Sequence, residues 1–451
     1  MKNVFAAAFS AVFCLAAAAR PEVSGVAVSQ DPPGSIRISY SLSEGPAFVT
    51  ARLFADGAEV PAERLATLTG DLGPGIAAGA HSIEWKVKKD MPDLMGRKVA
   101  VEAEVVAWSM LNPPDWMVVP LVTNAIAKIR FYETAGEIPG GLGAGGSDLY
   151  RTNCIVMRRI RARGVAWTSG SHFLNKFTDG NEWRKQLPCE VKLGSDYWIG
   201  VYELTARQYA LACNGAASFQ QSYVTDRDVR PCDKLYYKYL RITMGTIASP
   251  SEADRPDLPP GADSFLGAAR RYTGLSFDLP TESEWEFAAK GGMAPNRWNT
   301  GAIITNGTAD ANCPGRYARN GGCYYDDDEG AWKNAPYESG LDAGTAKAGS
   351  YAPNAFGLYD MHGNVMEWCR DFGCDEDNLK PVHLNGALNT AFYASPADGT
   401  GVHILRGGCF VNTASGVFFT KRSMERYSNS YAGIGCRLVL PLNLTDATTG
   451  N

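Results

Sequence analysis

The residues best suited to redox or metal chemistry in this chain are its cysteines, of which there are 11 against 5 histidines. Ten cysteines follow residue 150, and no two of them form a Cys-x-x-Cys pair. Cys369 and Cys374 lie nearest to each other, but no second pair completes a zinc site around them. If the chain is exported, an even number of thiols favours disulfides instead.

Other patterns of catalytic residues are missing from the sequence. The four histidines beyond residue 150 are never three or four positions apart, so the histidine motif of non-haem iron enzymes is absent. There is no phosphate-binding glycine loop and no Gly-x-Ser-x-Gly elbow. The acidic run at residues 326–329 lacks the spacing of an EF-hand and is typical of a solvated loop.

The amino terminus indicates export. Lys2 precedes an uncharged apolar run at residues 4–19 that ends in four alanines. A membrane span needs about 20 apolar residues, so we predict a signal peptide over residues 1–19 that is cleaved before Arg20. A lipid anchor on Cys14 is the alternative. We expect a secreted, periplasmic or cell-surface protein without a membrane span, and the net charge of −5 argues against a nucleic-acid partner.

The sequence predicts two domains that position the candidate functional residues. Residues 20–110 contain short segments in which apolar and polar residues alternate, as from Ile36 to Leu42, and turn signals such as Asp56-Gly57. This pattern predicts an all-β sandwich of the immunoglobulin or fibronectin type. A linker over residues 111–149, rich in proline and glycine, is expected to connect it to the second domain.

The second domain is predicted over residues 150–442, with a tail at residues 443–451. Two helices are expected in it. One begins after Thr281, where Thr281 and Glu284 make a capping box, and ends before Gly291; the other begins at Thr205. The remainder is rich in glycine, tryptophan and tyrosine, which predicts much irregular backbone.

Four segments of this domain resemble the formylglycine-generating enzyme family, also called sulfatase-modifying factors. The third segment is the most specific and reads Asn-Ala-Phe-Gly-Leu-Tyr-Asp-Met, followed by Gly-Asn-Val-Met-Glu-Trp. The segments are residues 197–205, 279–286, 354–368, and 405–408 with 435–438. The resemblance implies an α+β fold, namely the irregular, C-type-lectin-like fold of sulfatase-modifying factors.

The resemblance also implies what chemistry is missing. Active members bind copper through two cysteines shortly after the Arg-Gly-Gly segment and oxidise a substrate cysteine to formylglycine. Here residues 411–426 contain no cysteine, so copper is not expected. Cys409 and Cys436 depart from the family pattern, and they are candidates either for a relocated catalytic metal pair or for a disulfide.

A calcium site is a second feature that the resemblance implies. Relatives hold the ion with side chains and backbone carbonyls that map onto Asp360, Gly363, Val365 and Glu367, and a further site would draw on Asn312. Calcium favours such oxygen ligands on a tight turn. The alternative is that Asp360 and Glu367 only cap backbone amides.

Without copper ligands, the favoured function is a non-catalytic module that binds a protein or a glycan. Its candidate ligand-binding residues are Asn412, Tyr427, Asn429 and Tyr431, because tyrosine with small polar neighbours is typical of adaptable binding surfaces. The alternative is that the nearby phenylalanines lie in the core and only the tyrosines are exposed. Two other functions stay open: an oxidase that matures exported sulfatases, and a structural protein tethered by its sandwich.

Overall fold

The computed structural model describes residues 20–30, 34–170, 188–213, 226–243, 258–292, 323–326, 331–334, 344–372, 402–412, 417–420, 422–442 and 444. The predicted signal peptide and Asn312 lie outside these ranges. Across the described part of the chain, no helix has both the length and the apolar character that crossing a membrane requires.

The amino-terminal unit consists of antiparallel strands around one apolar core. Its elements are β1 (Val23–Gln30), β2 (Ile36–Leu42), β3 (Ala47–Ala55), β4 (Ala58–Glu59), β5 (Thr69–Gly70), β6 (Gly73–Ile76), β7 (Gly79–Trp85), the short helix α1 (Val87–Asp90) and β8 (Val101–Ser109). One sheet has the order β1-β2-β7-β5; in the other, β3 pairs with β4, β6 and β8. The alternation predicted for β2 is confirmed, since Ile36, Ile38, Tyr40 and Leu42 are buried and the residues between them are exposed.

The second unit is a mixture of small sheets and short helices. Its elements are β9 (Trp116–Pro120), β10 (Arg130–Tyr132), α2 (Leu149–Thr152), β11 (Cys154–Ile160), β12 (Ala166–Ser169), β13 (Cys189–Lys192), β14 (Tyr197–Gly200), α3 (Ala206–Ala212), a π-helix (Lys238–Ile242), α4 (Phe265–Thr273), α5 (Glu282–Lys290), β15 (Cys323–Asp326), β16 (Ala331–Asn334), β17 (Met366–Phe372), β18 (Val402–Arg406), β19 (Arg422–Arg426), β20 (Ile434–Gly435) and β21 (Val439–Pro441). Short 3-10 turns occur at Ala62–Arg64, Pro92–Leu94, Ala125–Lys128, Ala135–Glu137 and Arg227–Val229.

Two sheets organise this unit. A five-stranded sheet has the order β10-β9-β11-β14-β21, and a four-stranded sheet has the order β19-β18-β17-β20. Both predicted helices are present: α3 and α5 each begin with a capping box, and α5 ends at Gly291 with φ of 55°. Helix α4, capped by the Ser264 side chain, was not predicted.

The segment at residues 111–149, predicted as a linker, is instead part of the second unit. Strand β9 is buried along its whole length and pairs with β11, while β10 pairs with β9. The glycine-rich stretch is also held in place, because the buried Arg151 guanidinium donates hydrogen bonds to the carbonyls of Gly143 and Gly146. The prediction was wrong because prolines and glycines here flank a strand that is buried on both faces.

The two units have separate apolar cores that meet at Phe48. Phe48 of β3 packs in the same cluster as Met117 of β9 and Trp198 of β14. Its ring meets that of Phe131 on β10 edge-on, with 5.1 Å between the centroids. The two units are therefore in apolar contact across the boundary at residue 110.

Candidate functional site

A tight turn before β17 carries most of the predicted calcium ligands. Asp360 and Asn364 both adopt left-handed backbone conformations, with φ of 57° and 60°. Aspartate and asparagine tolerate this conformation better than other residues with a Cβ. The turn brings the Asp360 side chain toward the protein interior, where it is 1 % exposed.

Asp360 is only half satisfied by hydrogen bonds. Its Oδ2 accepts a hydrogen bond of 2.6 Å from the Gly349 amide, whereas its buried Oδ1 receives none from the described residues. Gly349 has φ of +75°, and a Cβ there would collide with the Tyr202 ring. Burial raises the pKa of Asp360 to about 6, although the Gly349 amide and Arg437 act in the opposite direction.

Glu367 is held by a fully buried ion pair with Arg437. Nε and Nη2 of Arg437 lie 3.1 and 2.8 Å from Glu367 Oε1, and Trp285 Nε1 donates to Oε2 at 2.6 Å. The guanidinium also donates to the carbonyls of Gly200 and Tyr359. Glu367 therefore links α5, β17 and the segment at residues 435–438 through one carboxylate.

Glu203 is a third carboxylate in this centre, and the sequence did not single it out. Its Oε1 accepts a hydrogen bond of 3.0 Å from the Val365 amide, and its Oε2 accepts one of 2.6 Å from the Asn364 side chain. Burial, and then the charges of Asp360 and Glu367, raise its pKa well above the ordinary value. In the sequence, the only indication of Glu203 as a site residue is that an acid stands among apolar residues just before Thr205, the N-cap of α3.

Some of the predicted calcium ligands are suited to bind a cation, and others are not. The free Oδ1 of Asp360 and the excess of three buried carboxylates over the two guanidinium groups of Arg437 and Arg151 are what a hard cation would neutralise. Glu367 does not fit in this arrangement, because Arg437 and Trp285 occupy both of its oxygens. Within the described ranges, no three His, Cys, Asp or Glu side chains are grouped to hold a metal ion.

No disulfide joins the cysteines whose side chains the structure describes, and all of them are buried. They are Cys154, Cys213, Cys232, Cys369, Cys409 and Cys436. The expectation of disulfides is therefore not met for these six, since each thiol packs among apolar side chains as a small hydrophobic group. The side chains of the other four cysteines after residue 150 lie outside the described part of the structure.

The thiol pKa is raised in both candidate catalytic cysteines. Burial raises the pKa of the Cys409 thiol to about 12. It raises the pKa of Cys436 well above its ordinary value, and the charge of Glu367 adds to this effect. Because the thiolate is the form that binds metals and attacks substrates, neither side chain is prepared for either role at neutral pH.

The predicted ligand-binding residues differ in exposure. Tyr431 is 43 % exposed, Asn429 is exposed, and Asn412 and Tyr427 are half-buried. Asn412 is engaged, because its Oδ1 accepts a hydrogen bond of 2.8 Å from the Cys409 amide, and Tyr427 packs against the core. The neighbouring Phe410, Phe418 and Phe419 are each 1 % exposed, as the alternative interpretation predicted.

A second buried charge network connects helix α5 with β17, β18 and β19. Arg422 binds Glu282 with two hydrogen bonds of 2.5 and 2.7 Å, and Arg406 pairs with Glu286. Asp371 accepts a hydrogen bond of 2.6 Å from the Glu282 amide. Burial, and then the charge of Glu282, raise the pKa of Asp371 to about 7.

Comparison with known families agrees with this arrangement. The model of the sulfatase-modifying factor enzyme 1-like domain family matches residues 158–442, which is more than half of the chain. The chain therefore belongs to this family.

Individual relatives match shorter parts. The formylglycine-generating enzyme of Thermomonospora curvata is 37% identical over 126 residues, which are 27% of this chain and 36% of that protein. The serine/threonine-protein kinase pkn1 of Chlamydia pneumoniae is 27% identical over 242 residues, which are 53% of this chain and 32% of that protein. The chain thus spans about a third of the length of each of these relatives.

Among solved structures, PvdO from Pseudomonas aeruginosa superposes with a TM-score of 0.40 and 18% identity, and it covers 64% of this chain and 95% of its own. Treponema denticola variable protein 1 has the same TM-score and the same two coverages, at 20% identity.

Proposed function

We propose that this chain is an exported, non-catalytic binding module of the sulfatase-modifying factor family. The observation that carries the proposal is the state of its two candidate catalytic cysteines. Cys409 and Cys436 are fully buried, and burial holds the pKa of each thiol far above neutral. Formylglycine formation, the activity in the names of several relatives, needs reactive thiolates that these residues do not supply.

The region in which active relatives carry copper ligands supports the same proposal. Residues 411–426 contain no cysteine, and Cu(I) requires soft sulfur ligands. Val417, Phe418 and Phe419 fill this region with apolar side chains that are at most 1 % exposed. An oxidase acting on exported sulfatases is therefore the less favoured function.

The proposed ligand surface is formed by Asn412, Tyr427, Asn429 and Tyr431. Tyrosine offers a large, rigid contact area at low entropic cost, and asparagine adapts its hydrogen bonds to the partner. Exposure of Tyr431 and Asn429 favours these two as the main contacts. The partner would be a protein, exported sulfatases included, or a glycan.

The amino-terminal unit, for which an immunoglobulin- or fibronectin-like topology is expected, has a supporting role in this proposal. Phe48 packs into the core of the second unit, so the sandwich stiffens the module that carries the binding surface. The signal peptide expected at residues 1–19 would deliver the module outside the cytoplasm.

Calcium belongs to the proposal as a structural ion. Asp360 and the carbonyls of Gly363 and Val365 would hold it, and the ion would offset the buried negative charge that these residues share with Glu203. Glu367 would join only by releasing part of its contact with Arg437. The ion would supply no catalytic step.

Binding can be tested with a surface variant and a matched control. The double variant Asn429→Ala/Tyr431→Ala removes the two exposed side chains, and Leu111→Ala removes an 82 % exposed side chain elsewhere. A partner recovered from the exported fraction with the unaltered protein should bind the Leu111→Ala protein equally and the double variant at least about tenfold more weakly. Equal affinity of all three proteins would exclude this surface.

A further inference from the structure

A cavity of about 310 Å³ lies where the amino-terminal unit meets the second unit. Val106 and Trp108 of β8 line it from one side, and Phe131 and Tyr132 of β10 line it from the other. The volume falls at the lower end of the range for small-molecule sites. Five of the eleven residues that line the cavity are charged.

The charged groups around this cavity do not balance. Arg52 binds Glu59 at 2.6 Å and Glu104 at 3.0 Å, and Arg130 pairs with Glu59 as well. These four side chains, all on the cavity wall, cancel each other in charge. Arg20 is a further arginine on the wall and brings the total to one positive charge.

Arg20 has no acidic partner within the described part of the chain. Its Nε donates one hydrogen bond of 3.3 Å to the Ala107 carbonyl, and its guanidinium lies 3.8 Å above the Trp108 ring. Stacking on the ring fixes the direction of the guanidinium without neutralising it. The cavity wall thus carries one exposed guanidinium, that of Arg20, without an acidic partner among the described residues.

We infer that this cavity binds a small organic monoanion, a carboxylate attached to an apolar body. A guanidinium matches a carboxylate in charge and geometry, so Arg20 would hold the anionic end. The rings of Trp108 and Phe131 would contact the apolar body. The side chains of the wall leave the guanidinium of Arg20 as the positive group for the carboxylate to neutralise. This inference does not depend on the proposed function, because none of the residues of the Tyr431 surface line the cavity.

The probe for this site is 3-phenylpropionate, and its neutral amide, 3-phenylpropionamide, is the control ligand. Calorimetric titration of the mature protein should show binding of the carboxylate and at least tenfold weaker binding of the amide. Arg20→Met keeps an unbranched apolar stem and removes the charge, so it should weaken carboxylate binding at least tenfold. Arg64→Met is the matched control, because Arg64 is an exposed arginine that pairs with Asp93 outside the cavity.

A second variant tests the location of the site. Val106→Trp places an indole in the cavity and should abolish binding of 3-phenylpropionate, while its melting curve reports whether the protein is still folded. If Val106→Trp fails to fold, Thr50→Phe on the adjacent strand serves the same purpose. Absence of binding by the unaltered protein, equal binding of acid and amide, or undiminished binding by Arg20→Met or a folded cavity-filling variant would each overturn the inference.

Discussion

The buried ion pair between Glu367 and Arg437 gives the sharpest stability prediction. In Glu367→Gln the guanidinium loses its closest carboxylate, and both side chains are at most 1 % exposed. Removing one partner of a buried pair costs about 3–5 kcal/mol of unfolding free energy. We expect about 3 kcal/mol, at the low end of the range, because glutamine still accepts a hydrogen bond from Trp285 and Arg437 keeps its bonds to two carbonyls.

Urea unfolding measures this loss as a lower midpoint at an unchanged slope. The matched control is Asp93→Asn, which breaks an ion pair between side chains that are 44 % and 52 % exposed. That variant should lose less than about 1 kcal/mol, because exposed pairs contribute little. A loss below about 1 kcal/mol for Glu367→Gln as well would refute the argument that Arg437 depends on this carboxylate.

The substitution Asp360→Asn, combined with Glu367→Gln, extends the same experiment. The charge of Glu367 is one of the causes that raise the pKa of Asp360, so Glu367→Gln should make Asp360 easier to ionise and let it compensate Arg437. Adding Asp360→Asn removes that compensation, and the double variant should lose more than the sum of the single losses. Agreement with the sum to within about 0.5 kcal/mol would mean that the two carboxylates act independently.

Four further outcomes are expected. Asp371 has a pKa of about 7 in the fold against 3.8 for an ordinary aspartate, so its contribution to stability is lost as pH rises from about 4 to 7; Asp371→Asn should flatten this slope in melting curves at pH 5 and pH 8. With copper, oxygen and reductant, the protein should leave a Cys-x-Pro-x-Arg peptide unconverted by mass spectrometry, whereas conversion that Cys409→Ser abolishes would reveal a relocated oxidase site. Chelation should lower the melting temperature of the unaltered protein but not of Asp360→Asn, and an identical response in both would count against calcium. Intact-mass analysis should find a chain that begins at Arg20, with at least six thiols open to alkylation after unfolding without reductant.

The elements predicted correctly are those whose local sequence agrees with their environment. Strand β2 alternates because one face is buried and the other is solvated, and α5 carries its capping box and terminal glycine in the sequence itself. Strand β9 has no such alternation, because all five residues from Trp116 to Pro120 are buried. Periodicity alone does not distinguish a short apolar run of this kind from a buried helical segment.

The site was less accessible to sequence analysis, because tertiary contacts define it. Glu203 and Asn364 are 161 positions apart, and only the folded chain shows that they bind each other. Arg437 belonged to a quoted segment, but nothing local indicated that it would neutralise Glu367. Counting cysteines failed for a similar reason: an even number says nothing about whether thiols face each other or, like Cys409, pack separately in the core.

The aromatic contact between Phe48 and Phe131 has a consequence for cooperativity. Each unit has its own apolar core, and this contact joins them, so it couples the unfolding of one unit to that of the other. Truncation at residue 110 would leave Phe131 without the ring of Phe48 on β3 and expose an apolar face prone to association. Exchange of the sandwich between relatives would consequently have to preserve the side chains that meet β9 and β10.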